Sequence, residues 1–377
     1  MKQFELIATT TFGLETVVKQ EVKNLGYDII SIEDGKITFK SDVTGIVRAN
    51  LWLRSADRVL LKVGEFKALT FTELFDQTKA LPWGDIIPLN GKFTVNGKSV
   101  KSTLFSISDC QAIVKKAVVE KMKEKYKVDW FSEDGPEYTI QVSLLKDIAT
   151  LTIDTSGIGL HKRGYRKSNV EAPIKETLAA ALIQLSYWNK DRVLYDPFCG
   201  SGTIPIEAAL IGKNIAPGLN RDFASKHWAI IGEKIWEDEI KKAKEAINDS
   251  KIEIYASDIN PDNIEIAKHN ATEAGVSEYI SFSVNDFRKV QFSHNYGVII
   301  TNPPYGERLE DDEIAKKITI DIGKTFNKLE TWSKYIISSV SGFETLYGKK
   351  ADRERKLYNG TILVRYYQYY GPRPPRD

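Results

Sequence analysis

The sequence predicts an α/β chain of several domains, with a mostly parallel, helix-covered sheet in the C-terminal half and two smaller α+β units before it. Three observations carry this. At 377 residues the chain exceeds the roughly 250 to 300 at which a single hydrophobic core stops growing. From Arg192 onward, short apolar strands alternate with helical patterns, as strands buried on both faces of a parallel sheet do. Before Arg192, short strands and helices alternate in a βαββαβ and then an αβαββ pattern.

Phe4 to Thr9 reads as a strand, and Leu14, Val17, Val18, Val22 and Leu25 share one face of a helix. Tyr27 to Ile32 and Lys36 to Phe39 flank Glu33-Asp34-Gly35, a hairpin turn. Asp42 is placed to cap a helix ending near Leu53, and Val59 to Phe66 completes the βαββαβ order of a ferredoxin-like unit. Thr72 to Leu81 is helical until Pro82-Trp83-Gly84 stops it. Lys92 to Val95 is a short strand that Asn96-Gly97 is expected to end. Asp109 to Tyr126 is a long helix whose lysines read mostly as a solvated face, and Tyr138 to Leu144 with Ile148 to Asp154 form a hairpin. The C-terminal strands are Arg192 to Tyr195, Ile254 to Ser257, Ile280 to Val284, Val298 to Thr301, Tyr335 to Val340 and Thr361 to Tyr370.

Composition narrows the function classes. No run approaches the roughly 18 apolar residues of a membrane span, and Met1-Lys2-Gln3-Phe4-Glu5 lacks the pattern of a secretory leader, so a cytoplasmic location is expected. Cys110 and Cys199 are too few for a disulfide framework, and the four His show no metal-ligand spacing, so no metal is expected. The formal charge of +2 argues against a polyanionic partner until it is divided. Residues 1 to 167 carry 25 basic and 21 acidic side chains; residues 168 to 377 carry 28 and 30. The densest basic run is His161-Lys162-Arg163-Gly164-Tyr165-Arg166-Lys167, where Lys162, Arg163 and Arg166 are the candidates for RNA phosphate. The competing reading is a linker pinned to acidic neighbours.

Four motifs follow C-terminal strands. Asp196-Pro197-Phe198-Cys199-Gly200-Ser201-Gly202-Thr203 is a glycine turn between strand and helix, where the missing Cβ lets the backbone approach a ligand. It is not the dinucleotide fingerprint, because position 205 is Pro and the next acidic strand end, Asp258, lies 58 residues after Gly200. Asp258-Ile259 can accept from a ribose diol, while Asn285-Asp286-Phe287 offers a carboxylate and a ring to an adenine. Each alone reads as a cap or loop carboxylate. Together at one edge of a parallel sheet they mark the ligand crevice. In Asn302-Pro303-Pro304-Tyr305 the prolines freeze the loop and donate nothing. The Asn302 oxygen and Pro303 carbonyl are acceptors suited to an exocyclic amine, with Tyr305 available to stack on a base.

The sheet order and these motifs resemble the class I S-adenosylmethionine-dependent methyltransferases that methylate amino groups, whose signature is Asn302-Pro303-Pro304-Tyr305. Ala172-Pro173-Ile174-Lys175-Glu176-Thr177, Ile215-Ala216-Pro217-Gly218 with Arg221, Phe223 and Trp228, and Leu160 to Arg166 narrow the match. They resemble the THUMP-containing RNA guanine-N2 methyltransferases, especially the bacterial 23S rRNA enzymes. The resemblance implies a ferredoxin-like domain over 1–66, an RNA-binding THUMP domain over 67–156, a basic linker over 157–167, and a Rossmann-like methyltransferase domain with a seven-stranded sheet over 168–377. It also implies S-adenosylmethionine as cofactor, RNA as partner, and methyl transfer to guanine N2. A cysteine nucleophile for pyrimidine carbon is missing from the catalytic loop, and Cys199 reads as a small residue beside the cofactor. The alternatives are guanine N2 in tRNA, adenine N6 in nucleic acid, a protein glutamine, or a non-catalytic RNA-binding assembly factor.

Overall fold

The computed structural model describes residues 3–166, 174–305 and 309–375. Lys167, Ala172, Pro173 and Gly306 lie outside them. The N-terminal half runs β1 (Phe4–Thr9), α1 (Glu15–Asn24), β2 (Ile29–Glu33), β3 (Lys36–Ser41), α2 (Val43–Trp52) and β4 (Arg58–Lys67), then α3 (Phe71–Ala80), β5 (Lys92–Val100), α4 (Ile107–Tyr126), β6 (Glu137–Leu145) and β7 (Ile148–Asp154). Local chemistry sets the helix starts. Asp42 accepts from the Gly45 N–H at the head of α2, and Thr70 with Glu73 forms a reciprocal capping box on α3. Gly35 takes the positive φ that the β2–β3 turn requires.

The two α+β patterns share a single sheet. Its order is β2-β3-β1-β4-β7-β6-β5, because β4 pairs with β1 on one edge and with β7 on the other. The expected end of β5 at Asn96-Gly97 is overturned: the strand continues to Val100, in parallel register with β6. Glycine stands at 97 for a packing reason. A Cβ there would come within 3.1 to 3.3 Å of Gln111, Ile107 and Val142.

The C-terminal half runs α5 (Glu176–Gln184), β8 (Leu194–Asp196), α6 (Thr203–Gly212), α7 (Glu233–Glu245), β9 (Ile254–Asp258), α8 (Pro261–Glu273), β10 (Ile280–Val284), β11 (Val298–Thr301), α9 (Leu309–Phe326), β12 (Ser333–Ser338), α10 (Phe343–Tyr347), β13 (Arg353–Asn359) and β14 (Ile362–Tyr369). The sheet order β10-β9-β8-β11-β12-β14-β13 is parallel apart from β14, which runs antiparallel to both neighbours. The sequence pattern missed β13, whose charged residues Arg353 to Lys356 lack an apolar run. Two apolar clusters form the core here, one including Leu194, Ile206, Ile300 and Tyr366, the other Ile299, Ile336, Phe343 and Tyr367.

Compactness divides the chain into two units that interleave in sequence. One holds Met1–Thr10, Lys19–Leu160 and Asp222–Lys242; the other holds Thr11–Val18, His161–Arg221 and Ala243–Asp377. Within the first, the Asp222–Lys242 segment is anchored by rings and charge. Trp228 stacks on Tyr138 at 4.6 Å and donates from Nε1 to the Glu137 carbonyl. Glu239, buried on α7, accepts from Arg48 Nε and Nη2 at 2.6 and 3.2 Å. Among the described residues no helix is long and apolar enough to cross a membrane, and no group of three or more His, Cys, Asp or Glu could hold a metal.

Candidate methyltransferase site

The site lies at the carboxyl ends of β8, β9, β10 and β11, all in one unit. β8 is three buried residues long and ends on Asp196, which is 1% exposed. Its Oδ1 accepts from Thr301 Oγ1 at 2.7 Å and from the Phe198 N–H at 3.2 Å, so the ends of β8 and β11 are tied together. Burial, with help from the Asp258 charge, pushes the Asp196 carboxyl up to about 7 against the pull of those two donors.

The glycine turn is clipped to β9. Cys199 N–H donates to the Ser257 carbonyl at 2.9 Å, and Gly200 N–H to Asp258 Oδ2 at 3.0 Å. Asp258 Oδ1 accepts from the Asn260 N–H and Asn263 Nδ2, while its carbonyl takes the Asn285 N–H from the end of β10. Gly200 has φ +50° and nothing within 4 Å of where a Cβ would sit, so the backbone faces open space and a ligand can approach it closely. Gly202, at φ +83°, instead brings the start of α6 against Ala267, which a Cβ would approach to 3.0 Å. Ser201 and Thr203 are buried, with the Ser201 carbonyl accepting from Asn270 Nδ2. Burial and the two carboxylates hold the Cys199 thiol far above its ordinary range, so it stays protonated beside buried Pro197.

The remaining two motifs reach the same edge. Phe287 is buried and its ring centroid lies 4.7 Å from that of Phe198; Ile259 and Asn285 are exposed. Asp286 is chelated by Arg288, which holds its carboxyl below the usual range. In the last motif Pro303 is buried, Pro304 exposed and Tyr305 half-buried. Asn302 Oδ1 is buried and accepts from no donor in the described structure. The orphaned acceptor leaves hydrogen-bonding capacity open beside the glycine turn.

Comparison with known proteins settles the family. The description "RMKL-like, methyltransferase domain" matches residues 163–368, with an "RlmL ferredoxin-like domain" over 5–60 and a THUMP domain over 68–154. The chain is 52% identical over 380 residues to "Putative RNA methyltransferase YpsC" of Bacillus subtilis (strain 168), covering 100% of this chain and 98% of that protein. The chain belongs to the RMKL-like methyltransferases. Its fold superimposes on "a predicted N6-adenine-specific DNA methylase from Listeria monocytogenes str. 4b F2365" with a TM-score of 0.95 and 53% identity, covering 99% and 97% of the two chains. "SMU.472, a putative methyltransferase complexed with SAH" matches with a TM-score of 0.94 and 44% identity over 100% of both.

The basic linker of this methyltransferase requires a correction. Arg163 is 3% exposed and its guanidinium lies 3.3 and 3.4 Å from the carboxylate oxygens of Glu207 on α6, which is fully buried and also accepts from Tyr165 Oη. Arg166 faces Glu176 at 3.2 Å and donates from Nη2 to Thr203 Oγ1 at 2.6 Å. Both are pinned to acidic partners and cannot meet phosphate in this structure. Lys162 alone of the three is exposed. Arg166 instead braces the first residue of α6, directly behind the glycine turn. Sequence reasoning also missed Asn359, whose Nδ2 donates to Tyr305 Oη at 3.0 Å and fixes the ring of the methyltransferase loop. The dipeptide Asn359-Gly360 is a turn signal that points to this hairpin, but the observed two-residue loop is Gly360-Thr361, which leaves Asn359 as the last residue of β13.

Proposed function

We propose that this RMKL-like methyltransferase transfers a methyl group from S-adenosylmethionine to the exocyclic N2 of a guanosine in 23S ribosomal RNA. The observation that carries the reading is the orphaned Asn302 Oδ1 at the end of β11, one residue from the Thr301–Asp196 tie to the glycine strand. S-adenosylmethionine supplies a methyl group on a positively charged sulfur. Asp196, Pro197, Phe198, Cys199, Gly200, Ser201, Gly202 and Thr203 would line its methionine and ribose end, with Asp258 on the ribose diol. Ile259, Asn285, Asp286 and Phe287 would frame the adenine, Asp286 using lone pairs beyond those Arg288 occupies.

An exocyclic amine is a poor nucleophile because its lone pair is delocalised into the ring. Asn302 Oδ1 and the Pro303 carbonyl accept its two N–H groups, which localises the lone pair and stabilises the positive charge that grows on nitrogen. The methyl would leave the sulfur of bound S-adenosylmethionine as the carbon–nitrogen bond forms, and the amine would then give up its surplus proton to solvent or a neighbouring acceptor. Pro303 and Pro304 hold the loop rigid, and Tyr305 offers a stacking face to a base that has left its own stack.

The ferredoxin-like and THUMP domains favour RNA over DNA, in line with the name of the Bacillus relative. Adenine N6 is the second reading: its amino group would satisfy the same two acceptors, and the Listeria relative carries that name. Incubation with labelled S-adenosylmethionine and ribosomal RNA, transfer RNA or DNA, followed by digestion to nucleosides, separates them. N2-methylguanosine in 23S rRNA is the expected product. N6-methyladenosine, or N2-methylguanosine confined to tRNA, overturns the proposal, and tight RNA binding without turnover restores the non-catalytic assembly factor.

A further inference from the structure

We propose that one end of the β5-β6-β7-β4 sheet is a docking surface for unpaired RNA, with Phe105 as a stacking platform and Lys67, Lys98, Lys101 and Lys146 as its phosphate contacts. The proposal rests on the reading of the chain as an RNA methyltransferase and names the surface that holds the RNA. In register across four strands, Val100, Leu145, Ile148 and Lys67 form a single row at the sheet end. All four are exposed. Beside the row, the loop after β5 presents Phe105 at 82% exposure, while the preceding Leu104 is 6% exposed and its carbonyl accepts from Ser99 Oγ. A ring left this open, among exposed apolar neighbours, marks a contact surface.

The loops that carry the row are ordered, not loose. Lys146 N–H donates to the Val100 carbonyl, Asp147 N–H to Ser102 Oγ, and Thr103 N–H to Asp147 Oδ1, while the Asp147 carbonyl takes the Ala68 N–H. The surface is thus preorganised, which limits the entropy lost on binding. Carboxylates also lie near these loops, exposed Asp109 among them, and two of them are tied to backbone N–H groups. The Glu73 carboxylate is occupied by the Leu69 and Thr70 N–H groups, and Asp147 by Thr103. Among the described residues the four lysines form no ion pair within 4.0 Å. Lys101 and Lys146 sit at turn tips with φ of 50° and 51°, a left-handed backbone that glycine or asparagine adopts more easily. Lysine at both strained tips points to a use for the charge.

An aromatic platform among unpaired cations fits a single strand, whose bases expose their faces, better than a duplex, whose bases are already stacked. The test uses the full chain and a labelled single-stranded RNA of mixed sequence, against a duplex of the same length. Phe105→Ala should weaken single-strand binding by roughly tenfold. The double variant Lys101→Gly with Lys146→Gly removes two charges while easing the backbone, so it should fold at least as well as the parent. Its salt dependence, as log K against log salt, should flatten by about 1.4. Unchanged single-strand affinity in both variants overturns the inference, as does a change of oligomeric state in Phe105→Ala without a change in RNA affinity. Nucleoside analysis of the unaltered chain reads the proposed chemistry separately, so a wrong methylation target leaves the binding result intact.

Discussion

Ionisation of Asp196 should set the pH dependence of cofactor binding, and Thr301→Val should move it. The carboxyl sits near 7 because burial opposes its charge while the Thr301 hydroxyl, at 2.7 Å, and the Phe198 N–H favour it. Valine keeps the shape of threonine and removes the donor, and a hydrogen bond to a charged acceptor contributes about 1.5 to 3 kcal/mol, so the midpoint should rise by at least about one unit. If the carboxylate is the form that receives the cofactor, the parent is about three-quarters ionised at pH 7.5 and the variant about one-quarter, a loss of about threefold. The gap widens to about tenfold at pH 6 and closes near pH 9. Calorimetric titration with S-adenosylhomocysteine at pH 6 to 9 measures it. The cofactor's own titration is common to both proteins and cancels in the ratio, and Asp196→Asn should remove this component entirely. A ratio that stays constant with pH would refute the reasoning.

The same shift has a consequence for folding. A carboxyl held above its ordinary 3.8 binds its proton more tightly in the folded chain than in the unfolded one; its stabilisation is fully present below 3.8 and lost as pH rises through about 7, so Asp196→Asn should gain thermal midpoint on the parent across that window in the cofactor-free protein. Asn302→Ala should abolish methyl transfer while S-adenosylhomocysteine affinity stays within a few fold, read by turnover and calorimetry. Gly200→Ala should weaken the cofactor at least about tenfold, since its methyl enters the open cradle at a positive φ, while costing only about 1 kcal/mol of stability by denaturant titration. Arg163→Ala leaves the Glu207 carboxyl buried without its guanidinium, and should cost about 3 to 5 kcal/mol in a urea titration, whereas Arg163→Met with Glu207→Leu should recover most of it. In a cycle of Asn359→Ala and Tyr305→Phe, each single variant and the double should lower turnover by the same factor, because both delete one hydrogen bond. Additive effects would place Asn359 outside the loop's positioning.

How much of this was legible depends on whether the controlling partner is local. Asp196, Asp258, Asn285-Asp286 and Asn302 were readable because each ends an apolar run, and in a parallel sheet those ends must share one edge. The capping of α2 by Asp42 and the β2–β3 turn at Gly35 were readable for the same reason: the causes lie within three residues. The linker misled because charge density is visible in sequence and charge neutralisation is not. Glu207 lies 44 residues beyond Arg163, in the middle of an apolar helix. That position was itself a clue. A lone glutamate between Ile206 and Ala208 on a fully buried helix requires a cation, and the nearest unassigned cluster of cations was the linker. Asn96-Gly97 failed in the opposite way, since a strong local turn signal was overridden by parallel pairing to β6 and by the close pass of α4 over Gly97. The linker arginines are therefore read most economically as braces for α6 and its glycine turn. On the proposed function, RNA phosphate would instead meet lysines that form no ion pair among the described residues, such as Lys101 and Lys146 in the loops at the end of β5 and β6.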